Sequence, residues 1–130
     1  MEFLAKDVTI YDELWDVHAP LGTERKGNAV VTQDVFGWWV KDAEAVGEEV
    51  SFVYRCRQVE AAKMTGTGEA ILAGDRLYFY PAVGVRMVSP NRVGTFGVDF
   101  YFCGWAKKDA GALDHTVLMN FDGTRWDENI

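Results

Sequence analysis

The chain has 130 residues, of which 48% are hydrophobic and 14% aromatic, a size that fits one domain with one core and is too short for two. Twenty acidic against thirteen basic side chains give a net charge of −7, which opposes the counterion release that draws proteins to nucleic acid, so nucleic acid is not an expected partner. Read in chain order, the first segment (Met1-Glu2-Phe3-Leu4-Ala5-Lys6-Asp7) has no basic stretch leading into a long apolar run. Neither a signal peptide nor a membrane-spanning helix is expected from it. Residues 1–12 read as an amino-terminal arm, 13–121 as a β domain and 122–130 as a tail that needs a partner to order.

Within the β domain, short runs of β-branched and aromatic residues recur between glycine-rich or polar punctuation, and helical periodicity is missing over any useful length. Strands are predicted at 13–19, 28–32, 35–41, 49–57, 76–81, 84–88, 95–106 and 113–121. Turn signals separate them, among them Pro20-Leu21-Gly22, Ala73-Gly74-Asp75 and Ser89-Pro90-Asn91. The fourth run alternates so that Val50, Phe52, Tyr54 and Cys56 share one face. In the seventh, Phe96, Val98, Phe100 and Phe102 share one face and Tyr101, Cys103 and Trp105 the other, as in a central strand. A single helical turn is placed at 67–71 or 60–63. The expected fold is all-β: a single-domain β-sandwich or jelly-roll-like barrel with at most one short helical turn.

Catalytic groups are few. A nucleophile needs a base oriented by a third group, and the only histidines are His18 and His115, read as surface or edge residues. Nothing in the spacing pairs Cys103 with His115. Cys56 and Cys103, 47 positions apart and without a CxxC pair, suit neither a zinc site nor an expected disulfide. The acidic stretch Asp122-Gly123-Thr124-Arg125-Trp126-Asp127-Glu128 lacks the alternating ligands of a calcium loop. Glu48 and Glu49 are adjacent, so they point to opposite faces of a strand and cannot act together on a sugar. Thr65-Gly66-Thr67-Gly68 precedes Glu69-Ala70 and not the Gly-Lys-Ser/Thr of a phosphate loop. The expectation is therefore no catalytic residue, no metal and no cofactor.

What needs explaining is the aromatic surplus. Phe36-Gly37-Trp38-Trp39 sets two indoles on opposite faces of one strand, and Leu77-Tyr78-Phe79-Tyr80 adds three more rings. These rings either fill a core or anchor an interface, where Trp and Tyr are enriched. An alternative is a carbohydrate-binding β-sandwich module with Trp38, Trp39 or Tyr80 as its sugar platform.

Several short motifs occur in a telling order: Val17-His18-Ala19-Pro20-Leu21-Gly22, Lys26-Gly27-Asn28-Ala29-Val30-Val31, Val35-Phe36-Gly37-Trp38 and Ala45-Val46-Gly47-Glu48-Glu49-Val50. They are followed by Ala70-Ile71-Leu72-Ala73-Gly74-Asp75-Arg76-Leu77-Tyr78-Phe79, by Gly94-Thr95-Phe96-Gly97-Val98 and by a closing strand at 116–121. In that order they resemble the small decoration, or cement, proteins of tailed-phage capsids. The similarity runs from Val17 to Phe121, and it rests on the order of motifs that are weak singly. Some members of the family are labelled predicted recombinases, an activity that would want the phosphate loop this chain lacks. The chain departs from the family by a longer amino-terminal arm, more aromatics and the tail at 122–130.

The resemblance implies a virion protein on the capsid exterior, made in the host bacterial cytoplasm, whose partners are the major capsid protein and itself as homodimer or homotrimer. It implies no membrane partner and no enzymatic activity. Phe3, Leu4, Ile10, Tyr11, Trp38, Trp39, Trp126 and Ile130 are the expected capsid or subunit contacts, since terminal extensions that order on a partner add contact area.

Overall fold

A computed structural model describes residues 13–18, 21–32, 35–82 and 84–127, with 13–18 and 32 described by their backbone alone. The strands are β1 (Glu13–His18), β2 (Ala29–Thr32), β3 (Val35–Trp39), β4 (Glu49–Ala62), β5 (Arg76–Tyr80), β6 (Met87–Ser89), β7 (Tyr101–Ala106) and β8 (Thr116–Asp122). They form an antiparallel sheet in the order β2-β3-β4-β8-β7-β5-β6, with β1 paired to the first half of β4. The sheet curls until β6 returns to the end of β4. There Lys63 and Val88 form a parallel bridge, and the Met64 N–H donates to the Val88 carbonyl at 2.9 Å. The chain is thus all-β, and its barrel is one curled sheet.

The helical turn lies elsewhere than expected. It is the 3₁₀ turn Gly123–Arg125, capped by the Asp122 carboxylate, which accepts the Thr124 N–H at 3.0 Å. Residues 60–63 instead continue β4 or follow it, and 67–71 make a turn. Asp122 ends β8, and Gly123 lies so close to the Phe36 carbonyl that an added Cβ would sit 1.5 Å from its oxygen. Residues 122–127 therefore belong to the β domain and are not a separate tail.

The main core gathers Phe36, Trp38, Val53, Cys56, Leu77, Phe79, Cys103, Met119 and Phe121 with smaller residues. Trp39, Ala43, Val50 and Phe52 form a second cluster, and Tyr78, Phe100 and Phe102 a third. β8 follows the two-residue repeat, burying Val117, Met119 and Phe121. β4 breaks it. Its register slips against β1 near Arg55 and against β8 between Cys56 and Val59. Each slip puts an extra residue into the strand and reverses its faces. Val50 and Phe52 thus face the second cluster while Val53, Cys56, Val59 and Ala61 face the main core. Of the four residues expected on one face, Val50, Phe52 and Tyr54 do share the face of the second cluster, and Cys56 alone is moved to the main core.

β7 lies between β8 and β5, and both of its faces are covered, as expected of a central strand. It is shorter than predicted, because residues 95–99 fold on themselves: the Asp99 N–H donates to the Thr95 carbonyl at 2.7 Å. Val98 is left exposed while Phe96 and Phe100 pack with Phe102. Trp105 joins Phe102 instead of Cys103, since the register slips at Leu77/Tyr78 and Gly104 adopts φ +141°.

Candidate interaction surface

The indoles of Trp38 and Trp39 do lie on opposite faces of β3, in the main core and the second cluster respectively. Both are buried, at 0% and 2% exposure. Trp38 packs edge-on against Phe121 at 4.8 Å, and Trp39 lies tilted against Phe52 at 5.0 Å. Neither ring reaches a partner's surface, which corrects the expectation that they are contact residues. The same burial removes two of the three rings of a sugar platform. The third, Tyr80, is half-buried, and its hydroxyl donates to the Asn91 carbonyl while accepting the Val93 N–H at 2.8 Å.

Trp126 is also part of the fold. It stands edge-on to Tyr101 at 5.6 Å, and its carbonyl accepts the Phe102 N–H at 3.3 Å. Phe3, Leu4, Ile10, Tyr11 and Ile130 lie outside the described residues.

The chemical groups weighed in the sequence are distributed as follows. Cys103 is buried, its thiol donates to the Leu77 carbonyl at 3.3 Å, and burial raises its pKa well above the usual 9.0. His115, by contrast, is exposed just before β8. The side chain of His18 is outside the described residues. Among the described residues no three His, Cys, Asp or Glu side chains group as a metal site.

One charged residue missed in the sequence is Lys63, 1% exposed at the end of β4. Its ammonium donates to the carbonyls of Met64 (2.7 Å), Gly111 (3.0 Å) and Asp114 (3.1 Å), satisfying all three donors. Burial lowers its pKa from the usual 10.5, partly offset by the carboxylates of Glu69 and Asp114. It pins the 111–114 loop to the barrel. Paired N–H···O bonds between Ile71 and Ala110 (2.8 and 2.9 Å) fix the same loop to residues 65–75.

Two kinds of surface remain. Large aliphatic side chains are exposed outside the strands: Leu21 (71%), Val46 (73%), Leu72 (64%), Val93 (71%), Val98 (66%) and Leu113 (77%). Leu21 and Val46 belong to touching loops. Gly22, at φ +78°, lies so close that an added Cβ would stand 2.4 Å from the Val46 nitrogen. The buried Glu24 carboxylate fixes that turn by accepting the N–H groups of Leu21 (2.7 Å) and Gly22 (3.1 Å).

The second surface is the half-buried rim of Tyr80, Phe96 and Trp105 around the third cluster, whose own rings Tyr78, Phe100 and Phe102 are buried at 3%, 3% and 0% exposure. Three guanidinium groups lie over its rings. Arg76 is 5.3 Å from the Phe102 centroid, Arg92 5.7 Å from Tyr78 and Arg125 5.1 Å from Trp105. Sequence periodicity could not show this face, because Arg92 and Arg125 come from a loop and a 3₁₀ turn far apart in the chain.

No family model matches the chain, and no curated protein matches it.

Proposed function

We propose that this chain is a non-catalytic structural protein of a phage virion that binds the outer surface of the major capsid lattice and bridges neighbouring capsomers. The observation that carries the reading is the ordered set of motifs from Val17 to Phe121 and its resemblance to capsid decoration proteins. The distribution of apolar surface supports it. The indoles of β3 are interior, and exposed aliphatic side chains stand on loops braced by hydrogen bonds, so little ordering entropy opposes docking. A protein that binds only the mature lattice stabilises that lattice by linkage, and many copies add through multivalency.

The test is co-sedimentation of the purified chain with expanded and unexpanded shells. Saturable binding to expanded shells is the expected result. Failure to bind them, together with capture on a glycan array, would overturn the reading. Deleting residues 1–11 tests the arm separately: shell binding should weaken while the melting temperature of the free protein is unchanged. An equal loss of both would place the arm in the fold.

A further inference from the structure

At the end of β4 three carbonyl oxygens converge on one point. They belong to Met64, Gly111 and Asp114, and the Lys63 ammonium lies 2.7, 3.0 and 3.1 Å from them. Three acceptors match the three N–H donors of a primary ammonium. The carboxylates of Glu69 and Asp114 favour the charged form of that group against the cost of its burial.

The cage has bracing of its own. The Lys63 N–H donates to the His115 carbonyl at 3.0 Å and the Met64 N–H to the Val88 carbonyl at 2.9 Å, which ties the end of β4 to β6 and to the residues before β8. The Gly66 N–H donates to the Ala112 carbonyl at 2.9 Å, and Ile71 and Ala110 exchange N–H···O bonds. Inside the loop the Gly111 N–H donates to the Asp114 carboxylate at 2.7 Å, and the Asp114 N–H to the Gly111 carbonyl at 3.1 Å. None of these bonds uses the ammonium, so the oxygens are held near one another without it. A site assembled in advance binds its ligand at little ordering cost.

The cage is also close to water. Lys63 is 1% exposed, but the loop that supplies two of the three oxygens is exposed at Gly111, Leu113 and Asp114. Displacing one short loop therefore opens the way in. Truncating lysine to alanine removes the outer carbons of its stem and the nitrogen, which together are the heavy atoms of propylammonium.

We infer that the carbonyls of Met64, Gly111 and Asp114 form a preorganised binding site for a primary alkylammonium ion, and that Lys63 is its tethered resident ligand. The stem keeps the ammonium at high effective concentration, so the native chain takes up no free amine here. The site serves the fold and is independent of shell binding.

The test adds amines to the full-length Lys63→Ala chain and reads its denaturation midpoint and amide exchange in the 111–114 loop. Propylammonium chloride at about 0.1 M should raise the folding equilibrium constant about tenfold over sodium chloride at equal ionic strength, as a ligand with a Kd of about 10 mM would. Exchange in the loop should slow by a similar factor. Tetramethylammonium has charge but no N–H donor, and propanol has the length but no charge, so both should fall well short of propylammonium. The wild type, its cage filled, should not respond.

A rise no greater than that given by tetramethylammonium or propanol overturns the inference, since general salt or the filling of an apolar void would then account for it. An equal response from the wild type does the same. Should Lys63→Ala be unfolded in plain buffer, return of the folded circular-dichroism signal becomes the readout. No return with propylammonium up to about 1 M, where the same ligand would favour folding about a hundredfold, is the overturning result.

Discussion

Lys63 shows how one side chain can replace a stretch of regular pairing. Three carbonyl oxygens, from Met64, Gly111 and Asp114, point at one ammonium at the end of β4, where the strand ladder has run out. The charge is buried, and its desolvation is offset by three hydrogen bonds and by the carboxylates of Glu69 and Asp114. Replacing it with an isosteric apolar chain takes the ammonium from all three oxygens, of which the Gly111 oxygen keeps the Asp114 N–H at 3.1 Å. Lys63→Met should destabilise the fold by about 3 kcal/mol in chemical denaturation and speed amide exchange in the 111–114 loop. A loss below about 1 kcal/mol would mean that water satisfies the carbonyls equally well.

Among the elements, β8 leaves no room for a side chain at Gly104 of β7. A Cβ added at Gly104 would lie 2.0 Å from the Asn120 carbonyl oxygen, and the residue's φ of +141° is one that L side chains rarely adopt. Gly104→Ala must therefore separate two central strands. The expected cost is about 3 kcal/mol or more, read as a lower denaturation midpoint. Gly74→Ala is the internal control. Its φ of +91° is also unfavourable, but an added Cβ meets nothing within 4 Å, so the backbone cost alone, about 1 kcal/mol, should appear. Equal losses at the two sites would show that the close approach of β7 to β8 carries no energetic weight.

For the molecule as a whole, the closure of the sheet decides which groups water can reach. Cys103 is enclosed by the main core, and its thiol is held protonated by burial. In the unfolded chain the thiol ionises near its usual 9.0, whereas in the folded chain it does not. Above that pH the folded state holds the extra proton, so stability falls as pH rises. The decline in denaturation midpoint from about pH 8 to about pH 10 should be steeper in the wild type than in Cys103→Ala. Native Cys103 should react with thiol reagents only as fast as the protein unfolds globally. Rapid labelling of the native protein would show that the barrel opens locally at β7.

The amino-acid sequence by itself determined the class of fold and most of its strands. Strand formation depends on local patterns of β-branched and aromatic residues, and these marked the eight strands among the described residues, although the sixth begins later and the seventh is shorter than predicted. It also placed Trp38 and Trp39 on opposite faces of β3, because that follows from the two-residue repeat. Only the tertiary structure decided which faces are inside. The register slips in β4 move Cys56 to the main core, and the fold of 95–99 exposes Val98, since register is set by strands distant in sequence. The candidate surface was hidden for the same reason. Arg76, Arg92 and Arg125 are spread over 50 positions and meet one aromatic face only when β5, the 90–99 loop and the 3₁₀ turn come together. The rings read as a surplus in the sequence thus fill three buried clusters, and among those named only Tyr80, a ring at the rim of the third, is left half-buried.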